Sequence, residues 1–149
     1  DTDGKHTVIA DFYNHRILLI KQDEPTLSIG EEGKANGQLY YPTDVQLSDE
    51  TIWVADAYNH RVQVFDFDGN HLLTLADNQK INAATGIWVT NKEVFVTDFE
   101  NNRVLIFTKE GDLLQIIETN IEKPTDVLVF NNSLYITNYR RGSISVFTN

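Results

Sequence analysis

The sequence predicts an all-β fold built from repeating four-stranded units, and three observations predict it. Four segments align without gaps: Val8-Ile-Ala-Asp-Phe-Tyr-Asn-His-Arg-Ile-Leu-Leu-Ile20, Trp53-Val-Ala-Asp-Ala-Tyr-Asn-His-Arg-Val-Gln-Val-Phe65, Phe95-Val-Thr-Asp-Phe-Glu-Asn-Asn-Arg-Val-Leu-Ile-Phe107 and Tyr135-Ile-Thr-Asn-Tyr-Arg-Arg-Gly-Ser-Ile-Ser-Val-Phe147. Their anchors Asp11, Asp56, Asp98 and Asn138 stand 45, 42 and 40 residues apart. A second motif, Pro42-Thr-Asp-Val45, Ala84-Thr-Gly-Ile87 and Pro124-Thr-Asp-Val127, begins 14 residues before its anchor in every copy. Within each period the apolar runs are short, rich in β-branched and aromatic residues, and bounded by Asn, Asp and Gly. No window carries an apolar stripe at helical spacing. A period of about 40–45 residues with four strands is the mark of a β-propeller blade.

The second period reads as strands Asp44–Leu47, Ile52–Ala55, Arg61–Phe65 and Leu72–Leu75. Asp68-Gly69 and Glu110-Gly111 supply hairpin turns, because Gly tolerates positive φ. The blades are predicted at about 1–30, 42–75, 84–117 and 124–149 within one repeat domain, 1–149. Asp1-Thr-Asp-Gly-Lys-His6 falls where a turn between first and second strands belongs, and the chain stops after a third strand. The expectation is therefore 14 strands, or about three and a half four-stranded blades. An open array exposes sheet edges and an apolar flank. The expected cover is the rest of a longer chain, as in a six-bladed propeller, or other copies in an assembly.

Composition narrows the function. The hydrophobic content of 41% is that of a packed domain, and 12 basic against 22 acidic residues give a net charge of -10. A surface that acidic repels phosphate backbones, so no nucleic-acid partner is expected. The absence of Cys removes disulfides, zinc–thiolate sites and thiol catalysis. No run approaches a membrane span, so no membrane insertion is expected. The compartment is left open, with an extracytoplasmic or secreted setting favoured; Asn131-Asn-Ser133 is a glycosylation sequon of low specificity.

Val54-Ala-Asp-Ala-Tyr-Asn-His-Arg-Val-Gln-Val-Phe65 and Asn36-Gly-Gln-Leu-Tyr-Tyr-Pro42 resemble the NHL repeat. The resemblance covers nearly the whole chain; the third copy has Asn102 where His is usual, and the fourth keeps the apolar frame alone. It implies a β-propeller, and a family used mostly for interaction. That family includes an amidating lyase with a metal-dependent site, whose residues have no matching positions here, and RNA binders, which would want a basic face.

Three polar sets recur. Asp11 and Arg16, Asp56 and Arg61, and Asp98 and Arg103 close second strands and open third strands, so each pair is expected to bridge its own hairpin. His15 and His60 are equivalent, but the next copies offer Asn102 and Gly142, so the set falls short of zinc. Each is expected to be a turn histidine bonded locally. In Asp66-Phe-Asp-Gly69 and Asp1-Thr-Asp-Gly4 the Gly comes fourth, not sixth as in a calcium loop, and both read as turns. No catalytic residue, metal or cofactor is assigned.

The loops before first strands and those between second and third strands share one end of a propeller. That end gathers Tyr13, His15, Tyr40, Tyr41, Asp44, Tyr58, His60 and Asp126 as the candidate binding face. Tyr offers area and a polar handle there, although Tyr40 and Tyr41 could equally pack between blades. The leading expectation is a non-enzymatic binding or scaffolding module for a protein, peptide or glycan. The alternatives are a propeller-type lyase or hydrolase with a metal site, and a structural subunit assembling through its blade flanks.

Overall fold

Alternation of apolar residues at period two lets one strand feed two cores, and that decides this architecture. The computed structural model describes residues 1–75 and 79–148; Asn149, the last residue of the fourth predicted blade, lies outside them. Among these residues 14 strands form four antiparallel sheets. Blade 1 is β1 (His6–Asp11), β2 (Arg16–Lys21) and β3 (Leu27–Ile29). Blade 2 is β4 (Pro42–Ser48), β5 (Thr51–Asp56), β6 (Arg61–Asp66) and β7 (His71–Leu75). Blade 3 is β8 (Ala84–Val89), β9 (Glu93–Asp98), β10 (Arg103–Thr108) and β11 (Leu113–Ile117). Blade 4 is β12 (Pro124–Phe130), β13 (Ser133–Asn138) and β14 (Ser143–Thr148). Among the described residues helix is confined to two three-residue 3₁₀ turns, Phe12–Asn14 and Ala57–Asn59. Among the described residues no helix is long and apolar enough to cross a membrane.

Strands within a blade pair in sequence order. The hairpins turn at Gly69 and Gly111, whose φ values of 87° and 103° are open to Gly. In β5, Ile52 and Val54 join a cluster with Val8, Ile17 and Leu19 of blade 1, while Trp53 and Ala55 join one with Ile87, Val94 and Val96 of blade 3. A third cluster joins Phe95, Val104 and Ile106 of blade 3 to Val127, Leu134 and Ile136 of blade 4. The cores are thus the seams between blades, and a central blade is buried on both faces. Val45, Trp53, Val62 and Phe65 are all buried.

The two outer faces are different. Blade 1 leaves Ile9 and Ile20 exposed, and blade 4 leaves Leu128, Phe130, Ile144 and Val146 exposed. Tyr135 lies opposite Leu128 on one side and Val146 on the other, so the exposed residues of blade 4 share one face.

The first strands of blades 2 to 4 share an irregularity: their register shifts at the Pro-Thr-Asp or Ala-Thr-Gly motif. This bulge re-aims a threonine toward the next blade. Thr43 Oγ1 donates to the Ala84 carbonyl at 3.3 Å, and Thr85 Oγ1 to the Pro124 carbonyl at 3.0 Å.

Candidate functional site

The loop end is built by a turn that repeats in detail. Asp11 and Asp56 close second strands with φ near -90° and ψ of 73°, a 3₁₀ turn follows, and His15 or His60 exits it in the left-handed region. His and Asn tolerate that region better than β-branched residues. Asn102 holds the place in blade 3 at φ 55° and Gly142 in blade 4 at φ 56°.

The Asp–Arg pairs span these turns at 2.8, 2.8 and 2.7 Å. Their reach is longer than a hairpin. Asp56 is fully buried. Its Oδ2 accepts from Arg61 Nε (2.8 Å), Asn59 Nδ2 (2.9 Å) and Gln63 Nε2 (3.0 Å), and its Oδ1 accepts the Tyr40 backbone N–H at 2.7 Å. Arg61 donates onward to the carbonyls of Lys34, Ala35 and Gln38 at 2.8–3.0 Å. The pair therefore anchors the loop 30–41 that leads into its own blade. Asp98 repeats the scheme with Arg103, Asn101 Nδ2 and the Asn82 N–H, and Arg103 reaches the Gln79 carbonyl. In blade 4 the neutral Asn138 accepts the Glu122 N–H at 2.8 Å and donates to Ser145 Oγ at 2.8 Å. Asp11 and Arg16 are partly exposed; Arg16 first and Asn14 second hold the Asp11 carboxyl below its usual range by donating to it.

The histidines are not bonded locally, which corrects the sequence expectation. His15 Nδ1 accepts the Tyr41 N–H at 3.1 Å, and His60 Nδ1 accepts the Ala83 N–H at 3.0 Å. Asn102 Oδ1 does the same for the Lys123 N–H at 2.9 Å. Each partner lies at the entry of the next blade, so the residue that leaves the turn straps two blades together. Among the described residues no three His, Cys, Asp or Glu side chains come together as a metal set.

The first strap sets an aromatic cluster on the seam between blades 1 and 2. Tyr40 stacks on His15 at 5.2 Å with 9° between the rings, and Tyr41 meets His15 edge-on at 4.3 Å. Phe12 lies 5.0 Å from Tyr13, 4.9 Å from Tyr41 and 6.5 Å from Tyr58, and Tyr41 lies 5.0 Å from Tyr58. Tyr13 is 83% and Tyr58 56% exposed, while Tyr40 and Tyr41 are half-buried. Among the described residues no hydrogen bond reaches the hydroxyl of any of these four tyrosines. Phe12 is a member that sequence reasoning missed. The signal was available: its position holds Phe, Ala, Phe and Tyr in the four copies.

Asp44 and Asp126 sit apart from this cluster in role. Asp44 Oδ2 accepts the Ile87 N–H of blade 3 at 2.8 Å, and Oδ1 accepts the Val45 N–H at 2.8 Å. Burial foremost, with the charge of Asp126 added, pushes its carboxyl up to about 6. Asp126 accepts the Val127 N–H in the equivalent way and is exposed. A separate groove of about 970 Å³ lies between blades 3 and 4, lined in part by Trp88, Phe95, Ile117, Leu134 and Phe147.

The NHL repeat family profile matches residues 39–65, the segment that carries Tyr40, Tyr41, the Asp56–Arg61 pair and His60. No curated protein matches the chain in sequence. A catalytically inactive virginiamycin B lyase of Staphylococcus aureus, solved with quinupristin, shares the fold at a TM-score of 0.75 and 17% identity, over 99% of this chain and 53% of the lyase. The Kuenenia stuttgartiensis hydrazine synthase superposes at 0.81 and 14% identity, over 98% of this chain and 43% of that one. The computationally designed Ika4 protein does so at 0.76 and 14% identity, over 99% and 87%. This chain spans about half the length of the lyase it resembles. At such identities the likeness concerns the fold. Together with the repeat match and the four sheets, it makes this chain a run of β-propeller blades carrying an NHL repeat.

Proposed function

We propose that this chain is a non-enzymatic binding module that presents the aromatic loop face of blades 1 and 2 to a protein, peptide or glycan partner. One comparison within the molecule carries the reading. At the next seam the positions of Tyr40 and Tyr41 hold Asn82 and Ala83, yet the same strap closes it, from His60 to the Ala83 N–H. The fold therefore does not require rings at those two positions, and Glu100 and Arg140 stand where blades 1 and 2 carry the exposed Tyr13 and Tyr58. Exposed, rigid rings with open hydroxyls are what interfaces use as anchors. The polar residues that might suggest catalysis are otherwise engaged: Asp56, Asn59 and Arg61 bond one another and the incoming loop.

The test is a peptide display library and a glycan array, screened with wild type and with the Tyr13→Ala/Tyr58→Ala double variant. Ligands recovered by wild type and lost by the variant, at equal melting temperature, support this function. Ligands bound equally by both would overturn it.

A further inference from the structure

We infer that the aromatic face takes a cationic segment, a stretch of peptide bearing Lys or Arg on a partner protein. This rests on the binding-module reading and goes one step further, to the chemistry of the ligand. Phe12, Tyr41 and Tyr58 form a triangle of 4.9, 5.0 and 6.5 Å across blades 1 and 2, and Tyr13 lies 5.0 Å from Phe12. A patch of four rings spanning two blades suits a segment better than a single side chain. Ring faces carry the negative end of the aromatic quadrupole and attract ammonium and guanidinium groups.

The charges around the patch point the same way. Arg16 and Arg61, which leave the two turns of this face, are paired with Asp11 and Asp56. His15 and His60 accept N–H bonds through Nδ1, so that nitrogen carries no proton in either ring. In the adjoining loop Glu31 and Glu32 outnumber Lys34. Beyond the site, a net charge of -10 steers cations toward the molecule and anions away. An anionic ligand would meet one exposed guanidinium, Arg16, whose charge is offset by the Asp11 carboxylate 2.8 Å away. A neutral glycan would gain nothing from the field.

Titration calorimetry on the full chain tests this with three probes: a twelve-residue (Arg-Gly-Ser) repeat peptide, the same peptide with Gln for Arg, and the neutral oligosaccharide cellohexaose. The Arg peptide should bind, and more weakly as salt rises, with the Gln peptide weaker by about tenfold or more. The Tyr13→Phe/Tyr58→Phe variant should keep that affinity, because the ring face is retained. The Tyr13→Ala/Tyr58→Ala variant should lose about tenfold, with its melting temperature unchanged as the control for folding. Equal binding of the Arg peptide by the Ala variant would show general attraction to an acidic surface and overturn the inference. Binding of the Gln peptide or cellohexaose as tight as that of the Arg peptide, lost in the Ala variant, would also overturn it while leaving the binding-module reading intact. Binding of no probe and of no library ligand at this face would overturn both.

Discussion

His60, at the exit of the blade 2 turn, accepts through Nδ1 the backbone N–H of Ala83 at the entry of blade 3, 3.0 Å away. The bond fixes the phase of one blade against the next, and Asn102 performs it with an amide oxygen one blade on. His60→Asn should therefore fold with little loss, since Asn both tolerates the left-handed region and supplies the acceptor. His60→Ala loses the acceptor and keeps a side chain in that region, at a cost of about 1–2 kcal/mol. Urea denaturation of the two variants decides. Equal stability of both would mean that the strap contributes nothing.

The three Asp–Arg pairs should differ in strength although the sequence presents them alike. Asp56 is fully buried, so Arg61→Ala leaves a carboxylate with its other donors but without its cation, a loss on the order of 3 kcal/mol. Arg16→Ala acts on a pair whose side chains are 40% and 22% exposed, where solvent screens the charge, and should cost much less. Unfolding midpoints of both variants provide the measure. A larger loss at Arg16 than at Arg61 would contradict the burial argument.

The repeat frame was legible because period-two alternation and turn chemistry are local. The 14 strands, the Asp–Arg spacing and the tyrosine-bearing end all follow from residues close in sequence. The straps were not legible, because the partners of His15 and His60 lie 26 and 23 residues downstream and are backbone amides without a side-chain signature. The half-burial of Tyr40 and Tyr41 was likewise hidden: it depends on Phe12 and His15 arriving from the preceding blade. Asp44, grouped with the tyrosines by its place at a first-strand start, turns out to bond the Ile87 N–H of its neighbour.

Asp44 also sets a pH dependence. Its carboxyl titrates near 6 in the fold against 3.8 in the unfolded chain, chiefly through burial. Between those values the native protein holds a proton that the unfolded chain has released, so this contribution to stability falls as pH rises through the window. Asp11 and Asp66 are shifted down by hydrogen bonds, so theirs is lost as pH falls below about 3.8. His71, lowered first by burial, opposes Asp44 below its ordinary 6.5. The Asp44 share is therefore read in the stability of wild type minus that of Asp44→Asn, which should rise as pH drops from 7 to 4. Asp126→Asn should lower the Asp44 midpoint in an NMR titration. An unmoved midpoint would remove the coupling between these two carboxyls.

The most discriminating substitution is at Gly86, where repeat consensus and structure disagree. Its counterparts are Asp44 and Asp126, so averaging over copies recommends Gly86→Asp as a stabilising change. The structure predicts the reverse. A Cβ on Gly86 would lie 2.7 Å from the Thr125 carbonyl oxygen and 2.8 Å from Asp126 Cα, both backbone atoms of the neighbouring inner strand. Nothing flexible can yield there, so blades 3 and 4 would have to part along β8 and β12. The bonds at risk include the Gly86 N–H to Thr97 Oγ1 at 2.7 Å and the Thr85 hydroxyl to the Pro124 carbonyl at 3.0 Å. Gly86→Ala should cost on the order of 1–3 kcal/mol from overpacking alone. Gly86→Asp should cost more, and increasingly so toward neutral pH, because a third carboxylate joins Asp44, already pushed up to about 6, and Asp126. Thermal unfolding of both variants at pH 5 and pH 7 is the measurement. If Gly86→Asp matches or exceeds wild type at pH 7, the inner strands are not as closely approached as these distances require.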